Sequence, residues 1–234
     1  DPNIKKLAAI KKSNRRILVS TDNLAAGKNS DVILLAVKPQ SFDELVQELK
    51  GHIVKNCLIV SIMTGVPIKK IQTALGVKKV IRAMPNVGAR VKKSVTVWIA
   101  SKAVGPQEKS LARQWFDNIG FELAVKKEAL INSATAITGS GPGFFFYLVE
   151  EWLKAASKMG FSKEETQKLL FTTIDGANAL LQKFGAPNIL KQQVTSKGGT
   201  TAAGLQAMKR AVPVMWKKTL VAAAKRAREL SLSS

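Results

Sequence analysis

DVILLAVKPQSFDELVQELKGHIVKNCLIVSIM, residues 31–63, is the stretch that decides the fold. It opens on DVILLAV (31–37) and closes on CLIVSIM (57–63), two short apolar runs rich in β-branched residues. Between them FDELVQELKGHIV (42–54) repeats its apolar residues at helical spacing. Two strands apolar on both faces, joined through a helix, make a crossover unit of a parallel sheet covered on both sides.

The same alternation runs outward from this unit. RILVS (16–20), KVIRAM (79–84) and VTVWIA (95–100) read as further strands, and FELAV (121–125) closes the set. NIKKLAAIKK (3–12) and PIKKIQTAL (67–75) read as amphipathic helices. Beyond Lys127 strand patterns vanish: 144–160, 163–185, 201–211 and 212–231 are all helical. Small-residue-rich helices with apolar faces on more than one side argue for burial between subunits. The expected fold is therefore α/β: an incomplete Rossmann-like parallel sheet over residues 1–126, then an all-α dimerisation domain over 127–234. The sheet is incomplete in that no strand is followed by the G-x-G-x-x-G turn that cradles a dinucleotide pyrophosphate. GSGPG (139–143) follows a helical pattern, so it reads as a helix start with Pro142 in the first turn.

Composition narrows the function classes. The 234 residues are 46% hydrophobic, enough for a core, and no apolar run is long enough to span a bilayer. One cysteine, Cys57, rules out an internal disulfide and fits a reducing compartment. With one histidine, His52, there is no metal cluster and no Ser-His-Asp triad; Cys57 reads as strand packing and His52 as a helix-end residue. The net charge of +21 is spread over the chain, 22 basic against 9 acidic residues in 1–126 and 15 against 7 in 127–234. Much of it comes as doublets: Lys5-Lys6, Lys11-Lys12, Arg15-Arg16, Lys69-Lys70, Lys78-Lys79 and Lys92-Lys93. So positive a surface attracts polyanions, RNA first among them. Aromatics (6%) are not interleaved with the basic runs, so contact would be to phosphate and shape, not to bases.

QQVTSKGGTTAAGL (192–205) sets hydroxyl and glycine pairs at the start of a helical pattern, a pattern suited either to capping or to holding a carboxylate or phosphate. Six motifs in order, TDN (21–23), AVKPQ (36–40), VSIMTGV (60–66), IRAMPN (81–86), TAITGSGPGFFF (135–146) and VTSKGGTTAAGL (194–205), resemble pyrroline-5-carboxylate reductase. That family makes proline from its cyclic imine with NAD(P)H. The resemblance covers essentially the whole chain and implies a Rossmann-like domain followed by helices that interlock into a homodimer. It further implies that Ser196, Gly198, Gly199 and Thr201 hold the substrate carboxylate and ring nitrogen facing the nicotinamide. Asn23, Ala36, Val37, Lys38, Pro39, Met84 and Asn86 correspond to the cofactor side.

The sequence also departs from the family pattern. Asp1 matches a point just after the family's second strand, as in a truncated or fragmentary chain. Phe184 stands where a glutamate is usual, Lys197 where the S-P-G-G proline is, and Gln193 where animal enzymes have asparagine. Asn86-Val87-Gly88 replaces N-T-P, and Lys92-Lys93-Ser94 replaces a loop often reading G-E-G. Fold kept, site altered and surface basic set the expectation of a non-catalytic relative. It would be repurposed as an RNA-contacting subunit of a ribonucleoprotein such as a mitochondrial ribosome, with no cofactor and no metal. That subunit would be mitochondrial, with a cytoplasmic location as the alternative; the alternative function is an active reductase seen as a fragment, using NAD(P)H once the N-terminal turn is supplied.

Overall fold

The structure, a computed structural model, describes residues 1–232. It divides into two compact units, residues 1–140 with 223–232, and residues 141–222.

In the first unit five strands form one sheet in the order β1 (Val32–Leu35), β2 (Leu58–Ser61), β3 (Val80–Met84), β4 (Ser94–Ala100) and β5 (Gly120–Ala124). β1, β2 and β3 are parallel neighbours, linked by α3 (Phe42–Leu49) and α4 (Ile68–Leu75). β2 is buried at every residue, as its unbroken apolar run requires. Ile59 packs with Phe42, Leu45 and Ile71 on one face, while Leu58 and Val60 pack with Trp98 and Phe116 on the other. The second face is covered by α5 (Pro106–Asp117), whose Ala112 and Phe116 are buried. α3 stops at Leu49, short of the periodic pattern, where Gly51 turns the chain at φ 82°.

Two strand expectations are corrected. The 95–100 strand runs antiparallel to β3, with Ile81 opposite Ala100 and Met84 opposite Val97. The link between β3 and β4 spans only 85–93, and a parallel return needs roughly a dozen residues or more. β5 is parallel to β4, so the last two strands run against the first three. RILVS is not a strand: residues 16–20 lie outside the sheet and Leu18 is 90% exposed. A β-branched run becomes a strand only where a neighbouring strand takes its backbone hydrogen bonds, and no described strand pairs with it. Before it, α1 (Ile4–Ser13) is capped by Asn3, whose side chain accepts from the Lys6 N–H, and buries nothing. α2 (Asn23–Gly27) and α6 (Ala129–Ala134) also belong to this unit, and a π-helical turn, Thr135–Gly139, follows α6 directly.

The second unit is wholly helical: α7 (Gly141–Ala156), α8 (Lys163–Phe184), α9 (Pro187–Gln193) and the first part of α10 (Thr200–Leu232). α7 starts on the glycine-proline run with Pro142 in its first turn. α8 opens on a capping box, Ser162 accepting from the Glu165 N–H and Glu165 accepting from the Ser162 N–H. The two helical patterns 201–211 and 212–231 are a single helix of 33 residues with Pro213 inside it. Proline removes one backbone donor, and the alanine- and lysine-rich flanks favour helix strongly enough to carry the chain through.

Candidate active site

β1, β2 and β3 point their carboxyl ends to one edge of the sheet, where open α/β sheets bind ligands. At the end of β1, Ala36, Val37 and Lys38 line a cleft of about 590 Å3 together with Asn23, Ser41 and Glu48. That volume is in the range of small-ligand sites, about 300–1,000 Å3. Ala36 is exposed and small, so a flat ring can approach the backbone there; Pro39 begins the 3-10 turn that leads into α3. Asn23 is the first residue of α2, and its Nδ2 donates to Glu48 Oε2 at 3.0 Å. These residues fit the nicotinamide side of a dinucleotide: apolar wall, exposed backbone, and one amide already oriented.

Met84 and Asn86 do not line that cleft. They sit at the carboxyl end of β3, at the same sheet edge, and their side chains are engaged inside the unit. Asn86 Nδ2 donates to the Thr138 carbonyl at 3.0 Å, and Asn86 Oδ1 accepts from the Gly88 N–H at 3.0 Å. Thr64, just past β2, donates to the Met84 sulfur at 3.7 Å. Met84 Cε is also so close to Gly139 that a Cβ there would meet it at 3.0 Å.

Within the helical unit, residues 196–199 form a turn closed by the Gly199 N–H to the Ser196 carbonyl at 3.1 Å. Gly198 takes φ 75° and Lys197 is not among the positive-φ residues, which defines a type II turn with lysine at its first corner. Proline commonly holds that corner, so the lysine keeps the turn while adding an exposed cation. The Gly199 carbonyl accepts the first helical bond from Ala203, so the first-turn N–H groups of α10 face outward beside the glycines. A Cβ on Gly199 would meet Ser196 Oγ, which would have to rotate away. Ser196 is exposed and Thr201 half-buried, one turn apart at this helix start. The turn can hold an oxyanion on backbone donors and present hydroxyls beside it.

Phe184 ends α8, 58% exposed, with Lys183 Nζ 5.4 Å from its ring centroid. A phenyl ring can bind there but cannot exchange a proton. Of the basic residues, Lys5, Lys6, Lys12, Arg15, Arg16, Lys69, Lys78, Lys92 and Lys93 are exposed. Lys11 donates to the Arg15 and Ile17 carbonyls, and Lys70 pairs with Asp43. Lys79 is held by Glu108 at 2.8 Å. Burial pushes the Glu108 carboxyl up, but the Lys79 bond and the Gly105 N–H outweigh it and hold the group below the ordinary carboxylate range. Cys57 is buried next to β2, and burial with the nearby Asp31 charge pushes its thiol up, away from reactivity.

One cluster was passed over in the sequence. Arg82 lies in mid-strand at 2% exposure, its Nη1 2.9 Å from Glu128 Oε1 and its Nη2 3.2 Å from Asn132 Oδ1. The signal was there: a charge inside the apolar run KVIRAM demands a buried partner.

A βαβ sheet with a cleft at its carboxyl edge is an architecture shared by many nucleotide-binding enzymes, and the comparisons narrow it to one family. Residues 1–65 match the family model described as NADP oxidoreductase coenzyme F420-dependent, and residues 128–230 match pyrroline-5-carboxylate reductase dimerisation. The pyrroline-5-carboxylate reductase of Staphylococcus aureus (strain COL) is 35% identical over 191 residues, covering 81% of this chain and 70% of that protein. A pyrroline-5-carboxylate reductase structure from Coxiella burnetii superposes with TM-score 0.87 at 31% identity, covering 99% of this chain and 87% of that one. The Plasmodium falciparum pyrroline carboxylate reductase with NADP bound gives TM-score 0.85 at 27% identity, covering 93% and 84%. The chain belongs to the pyrroline-5-carboxylate reductase family.

Proposed function

We propose that this chain is the greater part of a pyrroline-5-carboxylate reductase subunit that, once a dinucleotide-binding turn is supplied, reduces 1-pyrroline-5-carboxylate to proline with NAD(P)H as a homodimer. The observation that carries this reading is the turn at 196–199. It keeps its hydrogen bond and its left-handed glycine although Lys197 replaces the usual proline, so that departure leaves the turn ahead of α10 in shape. Family membership and the NADP-bound relative support the same reading.

NAD(P)H, when bound, supplies the hydride that reduces the carbon–nitrogen double bond. The chain's own work is positional. The first-turn N–H groups of α10 hold the substrate carboxylate, and Gly198 and Gly199 leave room for it to approach. Ser196 and Thr201 bring hydroxyl donors toward the ring nitrogen. Ala36, Val37 and Lys38, with Asn23 held by Glu48, line the cleft that receives the cofactor's nicotinamide end. Phe184 brings no proton, so the nitrogen takes one from a hydroxyl or water and turnover is slower than with a carboxylate there.

The dimer reading is supported by the family model over 128–230 and by apolar faces left open in the helical unit. Phe145, Phe146, Trp152, Phe171 and Leu181 line a groove of about 950 Å3 between α7 and α8.

The test is NAD(P)H oxidation with 1-pyrroline-5-carboxylate by the purified protein carrying a G-x-G-x-x-G turn ahead of these residues, with proline quantified as product. Stoichiometric proline supports the reading; absence of turnover with both NADH and NADPH overturns it. A second reading, a basic RNA-contacting subunit without activity, is favoured by the charge of +21 and the exposed doublets. It predicts an association that RNase or salt disperses, steeply salt-dependent. The mitochondrial location belongs to that second reading and stands with it. Among the described residues no helix is long and apolar enough to cross a membrane.

A further inference from the structure

Arg82 ties four segments of the sheet unit together. Its guanidinium, 3% exposed as a side chain, pairs with Glu128, and the same Glu128 oxygen accepts the Ile68 N–H at the start of α4, at 2.9 Å. Its other nitrogen donates to Asn132, one turn further along α6, and Asn132 Nδ2 donates to Ser231 Oγ near the end of α10, at 3.0 Å. Arg82 Nε has no partner among the described residues. Among the described residues the guanidinium is compensated by Glu128 and Asn132, and losing Glu128 removes its one carboxylate partner there.

What α6 leads into gives this network a purpose. α6 passes without a break into the π-helical turn Thr135–Gly139, closed by the Ser140 N–H to the Thr135 carbonyl at 2.9 Å. That turn presents the Thr138 carbonyl to Asn86 and packs Gly139 against Met84. π turns inside helices are rare and recur at functional sites. Arg82 in β3 and Met84–Asn86 at the end of β3 thus grip the same helix at two points, one near its start and one at its π turn.

We propose that Arg82 is a positioning residue: through Glu128 and Asn132 it sets the π turn 135–139 against Met84–Asn86 and so fixes that segment at the carboxyl edge where the cofactor binds. The last clause rests on the reductase reading; the first does not.

Hydrogen exchange followed by mass spectrometry tests it on the intact protein as E128Q, and as the double variant R82M/E128M, which leaves no buried charge. In E128Q the amides of 134–140 and 86–88 should exchange about tenfold faster or more, with α3 unchanged. R82M/E128M should recover thermal stability, since no unpaired charge remains, yet keep the fast exchange. R82K, which preserves the charge pair but cannot reach Asn132 as well, should fall between. Unchanged exchange at 134–140, or a rise equal across the whole unit, overturns the proposal.

With turnover, E128Q should raise KM for NAD(P)H about tenfold while kcat moves less than about twofold, a split that loss of folded protein cannot produce. Fast exchange with an unchanged KM overturns the cofactor link. If the unmodified protein forms no proline, the reductase reading fails and the exchange result still decides the positioning claim.

Discussion

The two units of this chain bury themselves to very different degrees. In the sheet unit β2 is buried along its whole length and Ile59, Ile71, Val80 and Ile81 are fully enclosed. In residues 141–222, among the described residues, only Thr166 and Leu170 are buried, while Phe146, Tyr147 and Trp152 each stand more than half exposed. A crossover sheet brings its own helices to cover it, so one chain completes the core. Helices apolar on several sides have no such internal cover and need a second surface. The contrast separates a fold that is finished within the subunit from one that is finished by assembly.

Substitutions on the two sides should therefore fail in different ways. Ile59→Ala removes a fully enclosed side chain from the sheet and should cost about 3 kcal/mol of unfolding free energy, read from denaturant melts, with the association constant untouched. Phe146→Asp should barely alter the sheet unit's melt, yet raise the dimer dissociation constant by about 100-fold in sedimentation equilibrium. If Phe146→Asp instead melts the sheet and leaves association intact, the contrast is wrong.

Phe184→Glu sharpens the chemistry of the helical unit. Supplying a carboxylic acid where a phenyl ring now stands should raise kcat by about tenfold or more, with thermal stability nearly unchanged at so exposed a site. No gain in turnover would show that the substrate nitrogen does not pass this position.

A smaller effect belongs to the sheet unit. Glu108 has its folded pKa depressed, so its pairing with Lys79 contributes stability above the unfolded value and loses it as pH falls through the folded one. Glu108→Gln should cost about 1 kcal/mol at pH 7, and the difference from the parent protein should fade below about pH 4. A gap that stays constant down to acid pH would contradict the ion pair. The smallest change is Lys197→Pro in the turn before α10, which should stabilise by about 0.5 kcal/mol because proline prefers the corner lysine now holds. Destabilisation in calorimetry would mean that the turn is not type II.

How much of this was legible in the residues follows the same divide. β1, β2, β3 and their helices could be read because a strand buried on both faces leaves an unbroken apolar run. The direction of β4 was also written in the nine residues 85–93, which are too few for a parallel return, but strand patterns alone do not report direction. RILVS misled because an apolar run records propensity, whereas a strand requires a partner. The helical patterns 201–211 and 212–231 read as two because residue patterns do not report that helix-favouring flanks carry the chain through Pro213. At the site, the glycines and hydroxyls of 196–201 were visible as a pattern. Arg82 was visible as an anomaly whose partners, Glu128 and Asn132, lie about fifty residues away, a distance that periodicity does not cross. The basic doublets were read as one surface, yet Lys70 and Lys79 are taken up by Asp43 and Glu108.

The central claim is that the open helical unit is completed by a second copy of the chain in a reductase, and not by RNA. Sedimentation of the native protein from lysate at moderate salt, with and without RNase, tests it most directly. The account predicts an oligomer of two or more whole chains whose mass is indifferent to RNase. A monomer, or a large particle that RNase disperses, would contradict it.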